Sequence, residues 1–217
     1  PGVPVVTYVN TYADVKAESD ICCTSGNAVE VVKSFKSNTV IFLPDEYLAG
    51  NVARETGKHI IFPTLGAKKL EFDTSLDYQL VGWRGRCEVH EKFTVEDIRS
   101  VREQFPDVVI LAHPECSPEV VAASDFSGST TAMIRFVEKS DAPHFLLLTE
   151  CSMGDNIIAA NPDKPMLRLC SVRCPHMNEI TLEDTLKALQ LNRYVIEVPE
   201  EIRLRALKAV EGMIAIG

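Results

Sequence analysis

Arg86-Cys87-Glu88-Val89-His90-Glu91-Lys92-Phe93-Thr94-Val95-Glu96-Asp97 and Arg173-Cys174-Pro175-His176-Met177-Asn178-Glu179-Ile180-Thr181-Leu182-Glu183-Asp184 are two copies of one pattern. Each runs Arg-Cys, five residues, an apolar residue, then Thr, an aliphatic residue, Glu and Asp. The copies lie 87 residues apart. Thr followed three positions later by an acid, ahead of an apolar-periodic run, is a helix start. The hydroxyl accepts from orphan backbone N–H groups, and the acids sit at the positive end of the helix dipole. Each copy therefore reads as a cysteine in a loop followed by a capped helix. A single cysteine reads most simply as a buried thiol. Its repetition in matched loops favours convergence of those loops on one point, and Cys174-Pro175 adds a dipeptide found in iron–sulfur ligand runs.

The repeat extends upstream at a different offset. Tyr8-Val9-Asn10 closes one apolar run, and His113-Pro114-Glu115 closes another 105 residues later. Ser19-Asp20 matches Ser124-Asp125, and Ser25 matches Thr130, at the same offset. Offsets of 105 early and 87 late place about 18 extra residues in the first copy, between roughly Pro63 and Arg86. Strands expected at Val5–Val9, Val40–Leu43, His59–Phe62, Val108–Ala112 and His144–Leu148 alternate with helices, among them Glu46–Thr56, Val95–Gln104 and Pro118–Ala123. The fold class is α/β, built as repeated three-layer αβα units with parallel sheets. Residues 1–94 form the first unit, with an insertion at about 64–85; residues 95–181 form the second. Residues 182–217 are C-terminal helices, with a strand expected at Tyr194–Val198 and an apolar stripe of Leu204, Leu207, Val210 and Ile214 on the last helix. That stripe needs a partner, and a region ahead of Pro1 is the candidate. The chain opens without an initiator methionine, which we take as a cut start.

The 217 residues carry a net charge of −9 and no Lys/Arg run, which argues against nucleic acid as the partner. No apolar stretch approaches the ~18 residues needed to span a bilayer. Seven cysteines in a chain with ample core point to a reducing, cytoplasmic setting with some thiols on a metal. Cys22, Cys23, Cys116 and Cys151 read as structural, and Cys170 offers a second thiol four residues before Cys174. His90 and His176 follow the repeated cysteines, but their spacing fits no standard zinc pattern.

Ligands of open α/β sheets bind beyond the carboxyl ends of strands. Tyr8 and Asn10 share a face there, and His113 and Glu115 take the same places in the second unit. His and Glu suit acid–base work. Thr24-Ser25-Gly26-Asn27 and Gly128-Ser129-Thr130 each lead into a helix, where N–H groups and hydroxyls meet anions or merely cap the helix.

Together Tyr8-Val9-Asn10, Val15-Lys16-Ala17, Thr24 to Ala28, Pro44-Asp45, Cys87 to His90, His113-Pro114-Glu115, Gly128-Ser129-Thr130 and Cys174 to Met177 resemble the quinolinate synthase family, across nearly the whole chain. The resemblance implies three related α/β units about a pseudo-threefold axis, two of them present here. It implies a 4Fe–4S cluster on three cysteines. Cys87 and Cys174 match two of these, and the third is expected upstream. It implies condensation of iminoaspartate with dihydroxyacetone phosphate to quinolinate for NAD synthesis, with release of phosphate and two waters. A functional link to L-aspartate oxidase follows from the same resemblance. Tyr8, His113 and Glu115 take catalytic roles in it. Asn10, Ser25, Ser129 and Thr130 take substrate-binding ones. With one unit and one cluster cysteine lacking, the isolated chain is expected to be inactive. A cluster-free binding module for a phosphorylated or dicarboxylic acid, and a zinc-dependent lyase, are the competing readings.

Overall fold

The computed structural model describes residues 2–63, 79–168 and 172–217. The first unit runs β1 (Val5–Tyr8), α1 (Ala13–Ala17), β2 (Ile21–Cys23), α2 (Ala28–Ser34), β3 (Thr39–Phe42), α3 (Glu46–Thr56), β4 (His59–Ile61) and β5 (Gln79–Gly82). Then come a 3-10 turn at His90–Lys92 and α4 (Val95–Gln104). The second unit runs β6 (Val108–Ala112), α5 (Pro118–Ala123), β7 (Phe126–Ser127), α6 (Thr130–Lys139), β8 (His144–Leu148), α7 (Cys151–Ala160) and β9 (Met166–Arg168). Helices α8 (Leu182–Leu191) and α9 (Glu200–Ile216) follow.

Two all-parallel sheets result, ordered β2-β1-β3-β5-β4 and β7-β6-β8-β9. Short, continuous apolar runs such as Val-Val-Ile-Leu-Ala suit strands covered on both faces. The pleat then divides the side chains. Ile110, Leu146 and Leu148 join Val89, Phe93 and Ile98 in one core, while Leu111, Phe145 and Leu147 join Met133, Val137 and Ile157 in another. This makes the second unit three layers. Its first cover is contributed by α4 and the Cys87 loop, which precede it in the chain. The first unit's core gathers Val6, Val31, Val40, Phe42, Leu48 and Leu80.

The repeat is visible in register. Val6 pairs with Ile21 as Leu111 pairs with Phe126, 105 residues on. The position of the added chain differs from expectation. Gln79–Gly82 lies inside the span read as inserted, yet β5 is a central strand, fully buried and joined to β3 as β9 is joined to β8. The strand without a counterpart is β4, on the far edge beyond β5. Four residues of Gln-Leu-Val-Gly beside a polar run carry too weak a pattern to reveal a strand. Residues 64–78 and Cys170, including any pairing of Cys170 with Cys174, lie outside the described residues.

The C-terminal segment also departs from expectation. Tyr194–Val198 forms no strand; Tyr194 has φ +61° and Val195 and Ile196 are exposed. No neighbouring strand among the described residues offers them a ladder. Helix α9 packs on α1 and β2 of the first unit. The face it buries is Ala206, Ala209, Met213 and Ile216, whereas Leu204, Leu207 and Ile214 are exposed. Small residues allow the close approach at its centre: a Cβ on Gly212 would stand 3.2 Å from Ile21 Cγ1. Among the described residues no helix is long and apolar enough to cross a membrane.

Candidate active site between the two units

The ends of β1 and β6 place Tyr8 and Glu115 together. Tyr8 is half-buried, and its phenol faces Ser25 and Glu115. Burial, reinforced by the Glu115 charge, pushes that phenol far above its ordinary value, so it stays protonated. Asn10, two residues on, is exposed and lines the same opening as Tyr8, Asp45, Trp83, Cys87 and Glu115, a cavity of about 290 Å³.

His113 is buried at the end of β6. Its Nδ1 accepts from the Glu115 backbone N–H at 3.3 Å, and its Nε2 lies 3.1 Å from Ser25 Oγ. With Nδ1 accepting, a neutral ring carries its proton on Nε2 and donates it to Ser25. Burial, then the positive charge of His90, depresses His113 to about 3, which keeps it neutral. Ser25 thus accepts from His113 and keeps its own O–H to donate, here toward the Tyr8 phenol beside it.

His90 stacks on His113, with centroids 4.3 Å apart. Its Nδ1 stands 3.2 Å from both Cys87 Sγ and Glu115 Oε2, and its Nε2 3.2 Å from Thr149 Oγ1. Burial alone would lower its pKa. Hydrogen bonds to Cys87 and Glu115 outweigh that and raise it to about 9. Glu115 is shifted down: its burial is offset by the hydrogen bond from His90, by the charge of His90 and by the hydrogen bond from Tyr8. The stack therefore separates one charged and one neutral imidazole, with a carboxylate against the charged one.

Two acids outside the expected set hold the cysteine loops. Asp45 caps α3: Oδ1 accepts from Leu48 N–H and Oδ2 from Cys87 N–H, both at 2.8 Å. Glu150, 105 residues later, caps α7 in the same manner. Its Oε2 accepts from Ser152 and Met153 N–H, and its Oε1 from Cys174 N–H at 3.3 Å. Both acids are buried. Each carboxylate joins a helix start to a cysteine loop. Arg86, before Cys87, adds an ion pair to Glu46 at 2.9 Å.

The turns at Ser25 and Ser129 meet across a second cavity of about 330 Å³ that also touches Asn51 and Pro114. The N–H groups of the first turn are less free than expected: Gly26 N–H goes to Thr24 Oγ1, and Asn27 Oδ1 accepts from Thr24 N–H. Ser129 Oγ accepts from Ala132 N–H, which is ordinary capping, and Thr130 follows as the first residue of α6. Asn51 Nδ2 crosses between the units to the carbonyls of Pro114 and Cys116, at 2.8 and 3.2 Å.

Of the residues singled out in the sequence, the structure gathers Tyr8, Ser25, Cys87, His113 and Glu115 in one group, with Asn10 at its mouth. Cys174 is not in that group, but it is half-buried and packs against the same core as Cys87. Neither thiol is in a disulfide with another described cysteine. Each is a partly buried soft donor of the kind iron–sulfur clusters use. His90 is singled out in the sequence only as a zinc candidate of unsuitable spacing, and Thr149, Asp45 and Glu150 have no site role there. Asp45 and Glu150 fall at the 105-residue offset, a signal hidden because the pair is Asp against Glu. Thr149 carries no signal, since its role is to hold a ring from the other unit.

The family model described as quinolinate synthetase A protein (NadA) matches residues 1–215. Over 216 residues, all of this chain, it is 51% identical to quinolinate synthase 2 of Mesorhizobium japonicum and 51% identical to quinolinate synthase of Agrobacterium fabrum. Over the same length it is 48% identical to quinolinate synthase of Xylella fastidiosa strain 9a5c. The chain spans 60%, 56% and 58% of these three relatives. A match of this extent and identity places the chain in the quinolinate synthase (NadA) family.

Proposed function

We propose that this chain carries two of three α/β units of a quinolinate synthase, a cytoplasmic enzyme that joins iminoaspartate to dihydroxyacetone phosphate. The reaction releases phosphate and two waters and yields quinolinate for NAD synthesis. L-aspartate oxidase would be the functional link that supplies iminoaspartate. The observation that carries this reading is the convergence of Tyr8, Ser25, His113 and Glu115 beside Cys87, from both units, on the carboxyl ends of parallel strands.

Cys87 and Cys174 would be two of three thiolate ligands of a 4Fe–4S cluster, with the third outside this chain. When bound, the cluster supplies an iron able to act as a Lewis acid toward substrate oxygen. The chain's own residues do the remainder. Ser25, with Ser129 and Thr130 at the neighbouring helix start, receives phosphate or carboxylate. Neutral His113 holds the Ser25 hydroxyl in a donating orientation. Glu115, ionised and against His90, is the proton acceptor, and the protonated Tyr8 phenol is the donor. Asn10 orients substrate at the mouth.

The second cysteine loop supports a further unit. Phe93 is buried against the second unit, whereas Ile180, at its repeat position, is 73% exposed. Leu182, Leu186 and Leu189 of α8 are exposed as well. The Cys87 loop is finished by the unit after it; the Cys174 loop and α8 would be finished by another, and the isolated chain should not turn over. The test is anaerobic reconstitution with iron and sulfide, on this chain and on a chain extended at its N-terminus. A brown chromophore that needs both Cys87 and Cys174 is expected in the extended chain, with quinolinate formed there only. A colourless extended chain, or full turnover by the 217 residues alone, would sink the proposal.

A further inference from the structure

We infer that Asn51 is a positioning residue, an amide latch from the first unit that sets the turn carrying Glu115 in the second, and that Asn156 is the same latch left open for a further unit; the role rests on the reading of Glu115 as proton acceptor. Asn51 is buried on α3, and its Nδ2 donates to the carbonyls of Pro114 at 2.8 Å and Cys116 at 3.2 Å. These two carbonyls bracket Glu115. The N–H groups of the same turn are tied within its own unit: His113 to the Leu148 carbonyl at 3.1 Å, Cys116 to the His113 carbonyl at 2.9 Å, and Glu115 to His113 Nδ1 at 3.3 Å. Pro114 has no N–H to offer. Asn51 therefore grips the turn from across the junction through the acceptors that its own unit leaves over.

The latch is kept at a cost. Two acceptors fix which way the amide points, and Asn51 Oδ1 is then buried without a partner among the described residues. A leucine of similar shape would leave no such atom, so it is the donor pair that packing alone does not explain. Close approach makes the reach possible: a Cβ on Gly50 would stand 3.2 Å from Pro118 Cγ, just beyond the turn. Helix α3 also carries Asp45 at its start, where the carboxylate holds the Cys87 N–H, so one rigid element sets both the cysteine loop and the Glu115 turn. Asn156 lies 105 residues after Asn51, at the matching place on α7, and it is exposed, as Ile180 is.

Asn51→Leu removes the donors and the orphaned oxygen together. In the 217-residue chain, hydrogen exchange at the 113–116 amides should quicken about tenfold or more, with the urea midpoint unchanged or raised. In the N-terminally extended, cluster-loaded enzyme, kcat should fall about tenfold to a hundredfold with KM within about twofold, because Glu115 is misplaced while no substrate contact is removed. Circular dichroism reports folding. Asn51→Asp, which keeps the shape but turns an acceptor toward the two carbonyls, should show the same quickened exchange and carries the test if the leucine variant does not fold. Asn156→Leu should alter nothing in the 217-residue chain and should quicken exchange at one turn of the added segment in the extended chain. If the extended wild type forms no quinolinate, the functional reading fails by itself and the exchange measurement still decides the latch. Wild-type exchange at 113–116 in the Asn51 variants, or an unaltered kcat, overturns the inference, and an Asn156→Leu variant silent in both chains overturns its extension to α7.

Discussion

The two units share a scaffold and differ in what completes them. Along 105 residues of offset their first three strands, the helices between them and even the capping acids coincide. Yet the Cys87 loop is packed, paired and stacked against its successor, while the Cys174 loop stands open. His90 is buried between Cys87, Glu115 and Thr149; Met177, at the matching place, is 57% exposed. Tyr8 of one unit faces Glu115 of the other, and Asn10 lines the same opening. Duplicated backbone thus supplies equivalent strand ends, and the chemistry comes from placing unlike side chains on them. The site belongs to the junction and not to either unit.

The sharpest way to break that comparison is at Phe93 and Ile180. Phe93→Ala should cost about 3–5 kcal/mol in urea unfolding, since it empties a core position. Ile180→Ala should fall within about 0.5 kcal/mol in this chain. Equal effects would mean that the second loop is already packed. Next come the two acids, where the units should agree. Asp45→Ala and Glu150→Ala each remove a cap and a charged hydrogen bond to a cysteine loop, and each should cost about 2–3 kcal/mol. A large inequality in the denaturation midpoints would show that the device is repeated in form only.

The stacked imidazoles give opposite pH limbs in the metal-free chain. His113 is depressed to about 3, so its contribution to stability is full above about pH 6.5 and is lost as pH falls toward 3. His90 is raised to about 9, so its contribution is full below about pH 6.5 and is lost as pH rises toward 9. Thermal melts from pH 4 to 9 should therefore peak near neutrality, and His90→Gln should flatten the alkaline side. A melt that keeps its alkaline limb in that variant refutes the charge assignment. The smallest contrast concerns the capping boxes. Thr94→Ala should lower global stability by about 1 kcal/mol. Thr181→Ala should leave it unchanged, because α8 buries none of its residues, and the loss should appear only as faster amide exchange in α8.

Much of the fold was legible because helix starts carry chemistry. Asp45, Thr94 and Ser117-Pro118 mark α3, α4 and α5 to the residue. Tyr8, Ser25, Cys87, His113 and Glu115, singled out through repetition, do come together in space. What was not legible depends on neighbours. β5 is a strand only because β3 and β4 flank it. Tyr194–Val198 has strand composition without a ladder. The leucines of α9 mark a face left exposed here, while the face it buries on the first unit, with Ala206 and Ala209, carries too little apolar bulk to stand out. His90 has a spacing from Cys87 that fits no standard pattern, and only Glu115 and Thr149 of the second unit give it a role.

Helix α9 has a consequence for synthesis. Met213 and Ile216 pack against the core that contains Ile21, and Arg205 reaches the Ala17 carbonyl. On the ribosome, Ile21 emerges about 195 residues before Ile216, a delay of roughly 10–40 s at ordinary elongation rates. The second unit receives its covering helix α4 ahead of its own strands. Of these two units the earlier-made one is closed later, with β2 waiting for α9. A nascent chain stalled before α9 should therefore expose the earliest-made sheet to chaperones and proteases, while the later-made sheet is already sealed.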